Sequence, residues 1–213
     1  MPTRSSTPWP TISPRSGPPA SKQSRTNHQD FWRITLEVGK ESRSGYEREA
    51  FRHWTDEDAD GCDTRREVLL VEATTKPVKG KRCVLSGGAW TSFYDGVEVA
   101  DAKRLDVDHM VPLAEAWDSG ASAWTAERRE QYANDLDSAR SLVAVTEKSN
   151  RSKSDRDPSQ WLPPASSTHC TYAADWTATK LRWKLTVDSD EQAALQKLAG
   201  NCPDTAADYQ TAP

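Results

Sequence analysis

Two stretches of the sequence decide its fold: LDVDHMVPLAEAW at residues 105–117 and EKSNRSKSD at residues 147–155. The first predicts a strand that ends at Pro112, because proline cannot donate a hydrogen bond to a β-ladder. The apolar run at 142–145 predicts a second strand, and the second stretch predicts a helix that starts at Asn150. We therefore expect a hairpin with a helix laid across it, within an α+β fold.

The side chains at this junction are suited to hydrolysis of a phosphodiester. Asp106 and Asp108 share one face of the predicted strand, and His109 points to the other face, because successive strand residues alternate. Asp108 and Asn150 each offer an oxygen atom of the kind that Mg²⁺ prefers, so they are the predicted metal ligands. His109 is placed to take a proton from the attacking water, and Lys153 to hold a phosphate or the transition-state charge.

These residues resemble the HNH endonucleases, whose core is a ββα-metal unit, also called a His-Me finger. DVDHMVP followed by NRSKSD is similar to the HNH domain of RNA-guided CRISPR nucleases. The wider chain, from about residue 45 to residue 202, is more similar to small and often exported bacterial HNH proteins. Those proteins share a domain with the C-terminal part of GmrSD-type restriction enzymes. The stretches that carry this wider resemblance are GYEREAF (45–51), DGCDTRREVL (60–69), DVDHMVPLAEAWDSGA (106–121), YANDL (132–136) and DPSQWLPP (157–164).

The resemblance implies His109 as general base, with Asp108 and Asn150 as ligands of a divalent metal ion, Mg²⁺ or Mn²⁺. The sequence departs from the family at one position. Ser141, nine residues before Asn150, stands where the family has an Asn that steadies the loop of the catalytic His. We expect either Ser141 to do this more weakly, or Asn134 to substitute for it from an inserted helix.

A second, weaker candidate site precedes the core. Asp56, Asp58, Asp60 and Glu67 match the D-x-D-x-D-G-x5-E spacing of a calcium-binding loop. The spacing predicts a structural Ca²⁺ site separate from the nuclease site, and the alternative is an acidic turn that only faces solvent. Arg65, between these residues and the core, is predicted either to clamp a phosphate or to lie on a helix surface.

The remaining sequence predicts one domain preceded by a tail. Residues 1–30 hold six of the 13 prolines and predict a disordered tail. Residues 31–213 predict a single nuclease domain, with the ββα core at about 104–160 and a helical pair at 170–202. An extended segment is predicted at 31–38, and further elements are predicted as helices at 46–54, 67–73, 113–117, 126–135, 171–183 and 191–198 and as strands at 82–85 and 96–99.

Composition narrows the class of protein. The four cysteines favour two disulfides and an oxidising compartment, although the sequence does not choose among the three pairings. The cysteines and the family resemblance together predict a secreted or cell-surface protein, although residues 1–27 show no apolar segment typical of a signal peptide. We also expect a monomer. No apolar stretch is long enough to span a membrane. The net charge of −4 argues against a nucleic-acid coat protein but not against an enzyme with a local basic cleft.

The preferred hypothesis is a metal-dependent endonuclease that cuts DNA with little sequence preference, because no zinc finger or helix-turn-helix is evident. RNA is the alternative substrate. A second hypothesis is a non-catalytic, exported module that binds calcium or nucleic acid. A third places the same catalytic core in a toxin or restriction effector that needs a partner.

Overall fold

The computed structural model describes residues 36–213, which form an α+β fold of small sheets and helices. The predicted tail at 1–30, and most of the segment predicted at 31–38, lie outside the described residues. The helices are α1 (Thr64–Glu72), α2 (Leu113–Asp118), α3 (Ala126–Ala133), α4 (Glu147–Lys153), α5 (His169–Trp183) and α6 (Ser189–Gly200). The strands are β1 (Val78–Lys79), β2 (Leu85–Ser86), β3 (Trp90–Thr91), β4 (Glu98–Val99), β5 (Leu105–His109) and β6 (Leu142–Thr146).

Strands β5 and β6 pair antiparallel, as the predicted hairpin requires, and their register places Asp108 opposite Val143. Helix α4 follows β6 without a loop and contacts both strands. It begins at Glu147 and not at Asn150, because the Thr146 hydroxyl caps the helix by accepting the backbone N–H of Ser149 at 3.3 Å. Asn150 therefore lies in the middle of the helix.

Both faces of the β5–β6 pair are covered by other elements. One face packs on α1, and the other face packs on a larger aromatic core. Because side chains alternate between the two faces, the register of the strands decides which residues contact α1 and which contact the aromatic core. The side chains on the α1 face are Leu105, Val107, Leu142 and Ala144, against Val68 and Leu69. The aromatic core contains Tyr94, Tyr132, Trp161, Tyr172, Trp176 and Trp183. Asp106 and Asp108 share their face with Val143 and Val145, on the side of that core.

The helix predicted over 46–54 is wrong. Only Arg48–Ala50 form a single 3₁₀ turn, and Trp54 has a φ of 60°, which no helix contains. The reason is a contact with a segment that is distant in the sequence. The carbonyl of Ala50, which would accept the N–H of Trp54 in such a helix, instead accepts a hydrogen bond from Nε of Arg129 at 3.1 Å.

The strands predicted at 82–85 and 96–99 are also placed differently. In the structure β1 pairs with β2, and β3 pairs with β4, each over two residues. Arg82 and Cys83 have φ values of 54° and 53°, so the chain turns there and does not extend.

Two disulfides join Cys62 to Cys83 and Cys170 to Cys202. This is the sequential pairing, one of the three that the sequence allowed, and the described residues contain no free cysteine. The second disulfide ties the start of α5 to the residues that follow α6, which supports the predicted C-terminal helical pair. Among the described residues no helix is long and apolar enough to cross a membrane.

Candidate active site

Asp108, His109 and Asn150 line one cleft of about 510 Å³. Asp108 and His109 end strand β5, and Asn150 projects from α4. Although Asp108 and His109 point to opposite faces of the strand, both reach the cleft because the strand stops there. The structure thus brings together the three residues that the sequence predicted, while their chemical roles stay predictions.

The Asp108 carboxylate is buried and held by one of its two oxygens. Its Oδ2 accepts hydrogen bonds from the hydroxyl of Tyr94 at 2.7 Å and from Nζ of Lys153 at 2.5 Å. Burial and the Asp108 charge raise the pKa of Tyr94 well above its usual value, so this hydroxyl stays a donor. Oδ1 makes no hydrogen bond within the part of the chain that the structure describes, which leaves it available to a ligand.

Lys153 does not lie where a phosphate contact would require it. Its side chain is fully buried, and its ammonium donates to Asp108 Oδ2 and to the backbone carbonyl of His109 at 2.8 Å. A buried ammonium that is already paired cannot reach a substrate in the cleft without breaking that pair. The predicted phosphate contact is therefore replaced by a contact that orients Asp108.

Asn150 is oriented by Asp106, a residue for which the sequence predicted no role. Its amide Nδ2 donates to Oδ2 of Asp106 at 2.9 Å. Because an ionised carboxylate only accepts hydrogen bonds, the amide nitrogen must face Asp106, and Oδ1 is left without a partner among residues 36–213. The D-x-D spacing places Asp106 and Asp108 on one strand face, and this signal could have indicated the pairing with α4.

The ring of His109 is fixed on three sides. Nε2 lies 2.9 Å from the carbonyl oxygen of Ala133, and the ring stacks between Trp54 at 5.5 Å and Tyr132 at 6.3 Å. A carbonyl can only accept, so Nε2 carries the hydrogen and Nδ1 keeps its lone pair. Desolvation by burial lowers the pKa of His109 to about 3, so the imidazole is neutral at neutral pH.

Ser141, predicted to steady the His109 loop, has its side chain elsewhere. Its hydroxyl donates to Oδ2 of Asp135 at 2.7 Å, and only its backbone carbonyl approaches the loop, where it accepts from the N–H of Met110 at 2.9 Å. The direct contact to His109 comes from the Ala133 carbonyl. Backbone groups carry no sequence signal, so this contact becomes evident only from the structure.

Arg65 is not a phosphate clamp. Its guanidinium donates to the carbonyl oxygens of Leu105 at 2.6 Å and of Ala102 at 3.3 Å, so it braces the start of β5. The arginines that do line the cleft are Arg48 and Arg151, both exposed to solvent. Arg151 belongs to a basic cluster at 148–156 that the sequence predicts to follow a nucleic-acid backbone, whereas the place of Arg48 at the cleft becomes evident only from the fold.

The predicted calcium loop forms a tight acidic turn. The side-chain oxygens of Asp56, Asp58 and Asp60 approach within 4.8 Å of one another, and Glu67 approaches Asp60 in the same way. Asp60 also forms an ion pair with Lys79 at 2.6 Å, which a bound cation would have to displace. The geometry leaves the calcium site a prediction.

Fold and cleft together define a disulfide-bonded α+β protein with a carboxylate, an amide and a neutral imidazole at one opening. Residues 62–198 match the family described as GmrSD restriction endonucleases, C-terminal domain. The chain belongs to this family, and its domain is accordingly of a nuclease type.

One curated relative is a protein of Arthroderma benhamiae named as an uncharacterized secreted protein. It is 40% identical over 160 residues, which cover 75% of this chain and 77% of that protein. No solved structure matches the chain.

Proposed function

We propose that this protein is a metal-dependent endonuclease and that β5, β6 and α4 form its ββα-metal core. The observation that supports this most directly is the shared cleft of Asp108, His109 and Asn150. Family membership supports the same reaction class, because the matched domain belongs to restriction endonucleases.

The donor atoms in the cleft suit a hard divalent cation. Asp108 Oδ1 and Asn150 Oδ1 are oxygens without a hydrogen-bond partner among the described residues, and Mg²⁺ or Mn²⁺ is usually held by one or two such ligands plus water. When bound, the ion would supply positive charge beside the scissile phosphate and the leaving oxygen. Tyr94 and Lys153 hold the Asp108 carboxylate, and Asp106 holds the Asn150 amide, so neither ligand has to reorient.

His109 supplies the base. Nδ1 takes a proton from the attacking water as the water oxygen bonds to phosphorus. The bond from phosphorus to the 3′ oxygen breaks, and that oxygen takes a proton from solvent. The Ala133 carbonyl keeps the hydrogen on Nε2, so the lone pair stays on the nitrogen that is free to react.

The substrate class is nucleic acid, with DNA preferred and RNA as the alternative. Arg48 and Arg151 flank the cleft, where their exposed guanidinium groups can contact phosphates, although the net charge of the chain is −4. Contacts of this kind reach phosphates and not base edges, so we expect cleavage with low sequence specificity.

Plasmid cleavage with Mg²⁺ or Mn²⁺ tests this function. We expect His109→Ala to lower the cleavage rate by roughly 10²–10⁴-fold, as for loss of a general base. His169→Ala is the matched control, because the His169 ring is partly buried and, like that of His109, is bonded to a backbone carbonyl, here that of Pro163. Equal rates for wild type and His109→Ala would refute the assignment.

A non-catalytic module that binds calcium or nucleic acid is the second candidate, and the clustered oxygens of Asp56, Asp58 and Asp60 favour it. Titration calorimetry with Ca²⁺ on chelator-treated protein tests the calcium site, with Asp58→Asn as the control. If no heat of binding is measured at millimolar Ca²⁺, the calcium site is refuted. DNA binding without cleavage in any metal would favour the module over the enzyme.

We also propose that the protein is exported and acts as a monomer. The two disulfides are typical of an oxidising compartment, and the curated relative carries a secreted name. Size-exclusion chromatography with light scattering tests the monomer, and fractionation of the producing cells tests the export.

A further inference from the structure

The end of α3 contacts the catalytic imidazole through its last carbonyl. Ala133 is the final helical residue, so its carbonyl has no N–H of the same helix to bond with. It accepts Nε2–H of His109 at 2.9 Å instead, and both groups are buried. The position of this helix end therefore sets the position and the tautomer of the base.

Asn134, the next residue, holds the helix end in place through its side chain. The side chain is buried and uses all four of its hydrogen-bonding positions. Oδ1 accepts the N–H of Thr55 at 3.0 Å and the hydroxyl of Thr64 at 2.8 Å. Nδ2 donates to the carbonyls of Arg52 at 2.9 Å and Glu130 at 2.8 Å.

The same contacts fix the opposite wall of the His109 pocket. Arg52 and Thr55 flank Trp54, whose ring stacks on His109 at an interplanar angle of 27°. Trp54 has a φ of 60°, a conformation that a bulky residue adopts only where its surroundings enforce it. Asn134 binds the chain immediately before and after that strained segment.

We propose that Asn134 is the positioning residue of the catalytic base. It holds in place the helix end whose carbonyl bonds Nε2 and the loop that stacks on the ring, whereas the Ser141 side chain contacts Asp135. This inference rests on the proposed function, since it assumes that His109 Nδ1 accepts the proton. Asn134 itself touches no reacting atom.

The tautomer of His109 tests this without any measurement of activity. Long-range ¹H–¹⁵N spectra report which ring nitrogen carries the hydrogen, and His109→Ala assigns the signals. We expect only the Nε2–H form in wild type and a mixture of both forms in Asn134→Ala. Leu195→Ala is the control for general destabilisation, because it removes core packing from α6 and no hydrogen bond of Asn134. It should keep the single tautomer.

Kinetics give a second readout. We expect Asn134→Ala to lower kcat by about 10–100-fold, with KM changed less than about twofold, because substrate contacts are retained. Thr64→Val removes one of the four contacts and should give a smaller loss, which Thr64→Ser restores. These two variants also decide the question if Asn134→Ala does not fold.

The proposal is overturned if wild type shows a mixture of tautomers. It is also overturned if folded Asn134→Ala, or Thr64→Val in its place, keeps the single Nε2–H form. An inactive wild type with the expected tautomer change would refute the proposed function and leave the positioning role intact.

Discussion

Replacing Lys153 by methionine should destabilise this protein far more than replacing an exposed lysine of the same helix. Methionine keeps much of the length of the side chain and removes the ammonium. The substitution leaves the buried Asp108 carboxylate with the Tyr94 hydroxyl as its remaining side-chain donor, and it leaves the His109 carbonyl without its side-chain donor. Burial lowers the pKa of Lys153 while the Asp108 charge opposes that change, so the two charges depend on each other.

The structure sets the size of the effect. Removing one partner of a buried ion pair costs about 3–5 kcal/mol, because the other charge stays buried without compensation. With a urea m-value of about 2 kcal/mol per M, the unfolding midpoint of Lys153→Met should fall by about 1.5–2.5 M.

Urea unfolding in the presence of EDTA measures this loss. Lys148→Met is the matched control, since Lys148 lies on the same helix α4 with its side chain exposed. The control should stay within about 0.5 kcal/mol of wild type.

A double-mutant cycle with Asp108→Asn identifies the interaction responsible. If Lys153 stabilises the Asp108 carboxylate, the two substitutions should show a coupling energy of about 2 kcal/mol. If Lys153→Met were as stable as Lys148→Met and lost only substrate affinity, Lys153 would be a phosphate ligand and the orienting role would be refuted.

Three further predictions concern pH, covalent structure and substrate binding. Burial raises the pKa of Glu72 to about 7, so the folded protein takes up a proton and its free energy of unfolding rises as pH falls from about 7 to 5. Glu72→Gln should reduce the slope of the free energy of unfolding against pH by at most about 1.4 kcal/mol per pH unit, and an unchanged slope contradicts the assignment. Replacing Cys170 and Cys202 by alanine opens a loop of 32 residues and should cost about 3–4 kcal/mol in thermal or urea unfolding; an unaltered midpoint contradicts this. Arg151→Ala should lower the salt dependence of DNA binding by about one unit of log–log slope, whereas Lys197→Ala on α6 should leave it unchanged.

Much of the candidate site could be predicted because its signals are local. Two strands form in the predicted regions, although the first ends at His109 and not at Pro112, and the helix after the second strand carries Asn150 as expected. The ligand types follow from side-chain chemistry, and their spacing along a strand and a helix places them at one junction. The cysteine count predicted two disulfides but not the pairing between Cys62 and Cys83.

The features that the sequence did not predict correctly depend on contacts between segments that are distant in the chain. Residues 46–54 have the pattern of an amphipathic helix. Arg129 nevertheless binds the Ala50 carbonyl that this helix would need, and Asn134 binds the Arg52 carbonyl, so the segment forms a loop that brings Trp54 to His109. Asp106 and Asn150 are also far apart in the sequence. The hydrogen bond by which Asp106 orients Asn150 therefore becomes evident only when α4 lies across β5.

The sequence by itself predicted the two paired strands and the helix that follows the second one, and it named Asp108, Asn150 and His109 as the candidate metal ligands and base. Only the tertiary structure decided that Lys153 is sealed against Asp108, that Arg65 braces a strand, and that the Ala133 carbonyl sets the tautomer of His109. The physical reason is that periodicity and side-chain chemistry are properties of short segments. Burial and backbone hydrogen bonds, by contrast, arise when segments far apart in the chain pack together.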